Sequence, residues 1–295
     1  MKLVIKFLFK ILFKTPLNFF IIIVLPLLMT ILVTLGWNLF GIIEPSVMLP
    51  NITCVGIVLI AAFLLPNVMI QYRLTQITQR IQVSKKEILN FYLLNLLCFA
   101  ILMIVSYFFC FGVATLLMMN VRSISQLWVN ADWYGVIYSL MLTIVMSLTF
   151  GFGIGYLCNT VLASQIVGIF LFVFSLFFGF MMVSAQMIVT TNTKIPNPFI
   201  ILSYIWPYRY TSILLNESFL TSSDFNYLQS SIFDLHFSYW SSCWKMGASV
   251  ERYWMIVAAV PDKYLDLLMP WGYMILVGGS IFWFKKTKFS SGHIN

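Results

Sequence analysis

Side chains able to do acid–base, metal or nucleophilic chemistry are few in this chain, and their positions work against an enzyme. His236 and His293 are the only histidines, and neither falls in an apolar segment, so neither builds a membrane metal site or a buried general base. No G-x-x-x-x-G-K-[ST] run occurs, nor any Gly-Lys dipeptide. The chain therefore cannot cradle nucleotide phosphates by that device. Gly151, Gly153 and Gly155 in FGFGIGY do not have dinucleotide-loop spacing, and no βαβ pattern surrounds them. No Ser/His/Asp grouping can be argued. The polar residues inside apolar stretches are neutral, namely Asn38, Asn67, Asn95, Gln165, Ser175 and Gln186. Each is either an interhelical hydrogen-bonding group or part of a pathway lining.

The elements that carry these residues follow from hydropathy. Hydrophobic residues make up 61% of the 295 and charged residues 9%, with a mean hydropathy of +0.96. That leaves too little polar surface to cover a soluble particle. Six apolar stretches, Phe19–Phe40, Thr53–Ile70, Phe91–Met119, Tyr134–Cys158, Ala163–Val189 and Leu267–Phe284, compare with the roughly 20 residues a spanning helix needs. In lipid each backbone polar group must be satisfied within its helix. The expected fold is an all-α integral membrane protein with six transmembrane helices, forming one domain over 1–295. No Asp, Glu or His occurs within the six stretches, although intramembrane catalysis and proton- or ion-coupled transport normally require them.

The basic residues orient the chain. Of seventeen Lys and Arg, eleven lie before the first stretch, between the second and third, or after the sixth. The positive-inside rule places these regions, and with them both termini, in the cytoplasm of a cell membrane. The net charge of +8 therefore flanks apolar spans and does not form one exposed basic face, which argues against nucleic acid. Cys54, Cys98, Cys110 and Cys158 fall in apolar stretches and read as packing groups. Cys243 is the remaining cysteine, either a free thiol or half of an intermolecular bridge. No cleavable signal peptide is expected.

Residues 1–15 place Lys2, Lys6, Lys10 and Lys14 among Leu, Ile and Phe, which predicts an amphipathic helix in the headgroup layer. An ordinary basic flank is the plainer alternative. Pro26 and Pro66 lie inside the first two spans, where kinks are expected. Gly41–Asn51 reads as a short external loop. In 72–90, Leu74, Ile77 and Ile81 recur at helical spacing within a polar run, predicting a short cytoplasmic amphipathic helix that either fills a loop or docks a partner. Asn159-Thr160 makes a tight turn between spans four and five, and Gly151 and Gly155 have the spacing that lets helices approach closely. Segment 190–266 is the one sizeable soluble piece. Its first part is too apolar for a solvated loop and too interrupted for a span, which fits a re-entrant or interfacial helical pair followed by a polar cap.

The order of these elements, together with YIWPYRYTSILLNESF over Tyr204–Phe219, resembles the permease of a type-2 ATP-binding-cassette (ABC) exporter. The match is to the aromatic-Pro-aromatic-Arg-Tyr and Asn-Glu-Phe pattern of subfamily G permeases and their bacterial relatives, carried here by Pro207, Arg209, Tyr210, Asn216, Glu217 and Phe219. The resemblance implies a coupling helix containing Arg73, Leu74, Ile77, Arg80, Ile81, Lys85, Lys86 and Glu87, entering a groove on a separate nucleotide-binding ATPase subunit. ATP and Mg would sit on that partner, with no cofactor in this chain. A second permease copy or a paralogue would complete the pathway. Spans two and five would line it with Phe63, Asn67, Phe170, Phe174, Phe177, Phe178 and Met181, an adaptable apolar surface suited to hydrophobic or amphipathic peptides, lipids or drugs. The fused nucleotide-binding domain usual in subfamily G is absent, which implies a split bacterial arrangement.

Two other classes compete. A non-pumping scaffold or peptide-immunity protein would sequester a peptide without an ATPase partner. A secondary transporter would need a coupling acid that the spans lack.

Overall fold

The computed structural model describes residues 16–40, 45–75, 88–117, 128–129, 131–179, 181–182, 203, 205–219 and 270–279. Among them the regular structure is helical throughout. In chain order, α1 (Pro16–Phe19) runs through a π-helical turn (Phe20–Val24) into α2 (Leu25–Phe40). Next come α3 (Pro45–Thr53) and α4 (Val55–Leu59), then a second π-helical turn (Ile60–Leu64) and α5 (Leu65–Leu74). The long helices α6 (Ile88–Leu117), α7 (Trp133–Leu157) and α8 (Val161–Phe178) follow, and α9 (Tyr208–Phe219) is a shorter one. Residues 270–279 form a further helix.

Four helical stretches among the described residues are long and apolar enough to cross a membrane: Leu49–Leu74, Asn90–Leu117, Trp133–Leu157 and Val161–Phe178. They correspond to the second through fifth apolar stretches of the sequence. The apolar helix Phe20–Gly36 is shorter. Residues 1–15, the segment 76–87, most of 190–266 and the flanks of the sixth stretch lie outside the described residues, and with them the expected N-terminal amphipathic helix and most of the expected coupling helix.

Leu49–Leu74 runs through the middle of the bundle, with 89% of its most apolar window buried. Small residues let its neighbours approach. A Cβ added at Gly151 of α7 would lie 2.6 Å from the Ala61 carbonyl oxygen, and one at Gly155 would lie 3.0 Å from the Cα of Pro66. A Cβ at Gly168 of α8 would run into the Ala62 carbonyl. The Gly151/Gly155 spacing thus allows a close helix approach as the sequence indicates, the partner being α5 and the turn before it, and α8 makes a similar approach through one glycine.

The two intramembrane prolines act as expected, in a specific form. Each stands two residues after a π-helical turn, in FIIIVLP and IAAFLLP. Proline has no N–H to return to the preceding turn and its ring crowds the carbonyl four residues back, and a widened turn relieves that crowding. The Leu25 and Leu65 amides close these turns on the carbonyls of Phe20 and Ile60. Ser106 of α6 donates its hydroxyl to the Ile22 carbonyl at 2.8 Å, replacing a bond that Pro26 cannot make.

Two expectations differ in extent. The stretch Gly41–Asn51, read as a loop, is helical from Pro45 onward, because proline fits the first turn of a helix where no N–H is needed. Pro50 lies inside it, and Thr53 donates its hydroxyl to the Pro50 carbonyl at 2.7 Å before the chain turns at Cys54. The fifth stretch, read as Ala163–Val189, stays helical only to Phe178, and Met181-Met182 bends. At Gly179 the chain meets the start of α9, whose Tyr208 Cβ lies 3.1 Å from where a Gly179 Cβ would stand.

Candidate functional site

Polar and aromatic groups gather at three places along the bundle, all of them set by α5, α7 and α9. At one end, α7 finishes at Leu157 and leaves its last carbonyls without helical partners. Arg73, in the last turn of α5, fills that need. Its guanidinium donates to the Gly155 carbonyl at 2.6 Å, to the Tyr156 carbonyl at 3.2 Å and to the Cys158 carbonyl. A cation there also opposes the negative end of the helix dipole. Next to it, Tyr72 donates to Asn95 Oδ1 at 2.9 Å while Asn95 Nδ2 donates to the Phe91 carbonyl at 2.7 Å. Asn159 and Thr160 form the turn into α8, and the Thr160 hydroxyl caps that helix by accepting from the Ala163 amide at 3.2 Å.

Arg73 and Leu74 are therefore the described part of the expected coupling helix, and Ile77, Arg80, Ile81, Lys85, Lys86 and Glu87 lie outside the described residues. Leu74 is exposed. Arg73 is engaged within the chain by the end of α7, a role that sequence inspection missed. The available signal was a basic residue at the end of the second apolar stretch and the fourth stretch, two crossings later, running parallel to it and ending on the same side.

Halfway along α7, Ser147 shares a hydrogen bond of 2.8 Å with the Tyr208 hydroxyl, and Phe150 stacks on the Tyr208 ring at 6.0 Å. From this level α9 runs antiparallel to α7 to its other end, where the Asp132 amide donates to the Ser218 carbonyl at 2.7 Å. Asp132 also caps α7 by accepting from the Tyr134 amide at 3.2 Å. Phe219 joins an aromatic cluster there, with ring centroids 5.1 Å from Phe111 and 6.3 Å from Trp133. Of the residues singled out in this segment, Pro207, Arg209 and Tyr210 are buried. Arg209 is 7% exposed and donates to Ser203 Oγ at 2.9 Å. Asn216 is half-buried, and the Glu217 side chain lies outside the described set.

The residues expected to line a pathway divide between two environments. Phe63 is packed edge-on against Phe172 at 6.3 Å, Asn67 accepts from Ser164 at 3.4 Å, and Met181 is fully buried. Phe170, Phe174 and Phe177 stand on the exposed face of α8. Phe174 links Phe170, Phe178 and Trp206, with ring centroids 6.5, 5.2 and 5.4 Å away. Trp206 in turn donates its indole N–H to Ser175 Oγ at 3.2 Å. The structure thus brings the α8 aromatics together with the start of α9 and leaves Phe63 and Asn67 inside the bundle.

Cys54, Cys98, Cys110 and Cys158 are free thiols. No group of three or more His, Cys, Asp or Glu side chains that could hold a metal ion occurs among the described residues. No family model matches the chain, and no curated protein or solved structure matches it.

Proposed function

We propose that this chain is the membrane-spanning subunit of an ATP-driven exporter of the ABC type-2 class, moving a hydrophobic or amphipathic substrate while a separate subunit hydrolyses ATP. The observation that carries the reading is the form taken by the segment that resembles the exporter motif. Tyr208–Phe219 has 12 residues, about 18 Å of helix, against a hydrocarbon layer of about 30 Å. It starts level with Ser147, in the middle of α7, and ends at Asp132. A helix of that length and placement reaches from mid-bundle to one end only, as one arm of a re-entrant hairpin would.

Charge supports the same orientation. The Arg73 end of the bundle holds the turn at Asn159, and in the sequence Arg80, Lys85 and Lys86 follow it closely, so by the positive-inside rule it is cytoplasmic. The Asp132 end, with Trp128, Trp133 and Phe219, then has the aromatic belt of an outer interface. In this reading residues 73–90 dock on the ATPase subunit, a second permease completes the pathway, and the aromatic face of α8 meets substrate or the second permease. ATP and substrate must each favour one conformation for transport to be driven.

The test is co-purification from the native membrane. The tagged chain is expected to bring down a polypeptide with vanadate-sensitive ATPase activity. The combined changes Arg80→Glu, Lys85→Glu and Lys86→Glu are expected to release that polypeptide while the chain stays membrane-inserted. A wild-type chain that carries no ATPase would reject the pump and favour the scaffold.

A further inference from the structure

We infer that α5 and α7 form one rigid lever that pivots about the π-helical turn Ile60–Leu64 and is latched in the observed position by the Tyr72–Asn95 hydrogen bond. The two sides of the turn belong to different neighbours. Before it, α4 is fully buried and held by α2 and α6, since a Cβ at Gly56 would lie 2.5 Å from Ser106 Oγ and 3.2 Å from Pro26 Cβ. After it, α5 is bound to α7 at three successive levels. Gly151 meets Leu65, Gly155 meets Pro66 and Met69, and Arg73 closes the end of α7 through three carbonyls.

The turn between them is locally weak for a stated reason. A π turn holds one residue more than the α-helix needs, and Pro66 supplies no amide to the Ala61 or Ala62 carbonyls behind it. At the equivalent turn in the first helix, the Ser106 hydroxyl fills the vacated acceptor. At the second turn the atoms facing Ala61 and Ala62 are the glycine backbones at 151 and 168, which offer only weak C–H contacts. The first turn is therefore tied to α6 by a side-chain hydrogen bond, whereas the second is held by packing against glycines alone.

Near the Arg73 end, three contacts among the described residues cross from the lever to α6. Tyr72 donates to Asn95, its ring lies edge-on to Phe91 at 5.2 Å, and the Tyr92 ring lies edge-on to Phe152 at 6.0 Å. All three lie beyond the pivot toward the Arg73 end, where a rotation separates groups more than at the pivot itself. At its other end α7 carries α9 through Tyr208 and Ser218. A push on the segment after Thr75 is thereby delivered to α9. That use of the lever rests on the exporter reading, whereas the pivot itself does not.

The test needs no partner. Spin labels are placed on the full chain in lipid nanodiscs, in a background whose native cysteines are replaced and whose monodispersity is checked. Labels at Leu74→Cys and Leu157→Cys both ride on the lever and are expected to give one narrow distance. Labels at Leu93→Cys and Leu157→Cys span the two bodies and are expected to give a second distance population. That population should grow with Tyr72→Phe and be lost with Pro66→Ala. Should Pro66→Ala not fold, Gly168→Ala, whose added methyl presses on the Ala62 carbonyl, is expected to remove the second population instead. Arg73→Lys should broaden the distance within the lever. A single narrow 93–157 distance unchanged by Tyr72→Phe, or a second population indifferent to both Pro66→Ala and Gly168→Ala, overturns the inference. Neither result touches the co-purification test, so the two readings fail separately.

Discussion

The stretches Leu49–Leu74 and Val161–Phe178 are both apolar enough to cross a membrane, yet 89% of the first's most apolar window is buried in the protein and only 28% of the second's. In water such a difference would be costly, but in lipid the exposed face of α8 meets a solvent as apolar as itself. What separates the two helices is therefore the placement of small and hydrogen-bonding residues. Leu49–Leu74 offers Gly56, Ala61 and Ala62 to four neighbours, α2, α6, α7 and α8, so close approach is possible on several sides. Helix α8 confines Ser164, Gly168 and Ser175 to one buried stripe and turns Ile166, Phe170, Val173 and Phe177 outward.

The sharpest way to break this contrast is to fill a contact point on the central helix. Gly151→Ala puts a methyl 2.6 Å from a backbone oxygen, where neither side can move cheaply, and should cost about 1–3 kcal/mol as overpacking does. Denaturant titration in mixed micelles, followed by circular dichroism, measures the loss. A wild-type midpoint would mean that the interface is looser than its geometry. Ser106→Ala is the intermediate case. It leaves the Ile22 carbonyl without its hydroxyl donor, and about 0.6 kcal/mol is the typical worth of such a bond between membrane helices. The same titration should show a small downward shift, and no shift would mean that the pinned turn needs no pin. Phe170→Leu is the mildest. With Phe170 60% exposed, the midpoint should move by less than about 0.5 kcal/mol. A larger drop would show that a protein surface, such as a second copy, covers that face.

Much of the helical framework could be read from hydropathy, because a bilayer demands a continuous apolar run and the run is visible in one dimension. Spans two to five, the turn at Asn159-Thr160 and the disturbances at Pro26 and Pro66 are local in origin. So is the Gly151/Gly155 approach, since the spacing itself places both glycines on one face of α7. The end of α8 was not legible. Apolar residues continue past Phe178, and although Gly179 caps the helix, glycines also occur inside helices elsewhere in the chain; the arrival of Tyr208 beside Gly179 distinguishes this one. The site was legible in parts. Pro207, Arg209 and Tyr210 were marked by their types within an apolar segment. Arg73 looked like one more member of a basic run, because its acceptors are backbone carbonyls some 80 residues away, and carbonyls have no sequence signature.

The amino-acid order alone marked this chain as one for lipid, which of its stretches are long and apolar enough to cross a membrane, and which positions can carry no charge-based chemistry. All of these depend on transfer free energies and hydrogen-bonding groups that each segment carries by itself. Which helix sits at the centre, which proline turn is hydrogen-bonded to a neighbour and which is held by packing alone, and where the Arg73 guanidinium is used depend on atoms brought together from distant segments. Those contacts exist only once the helices have packed, and tertiary structure alone decides them.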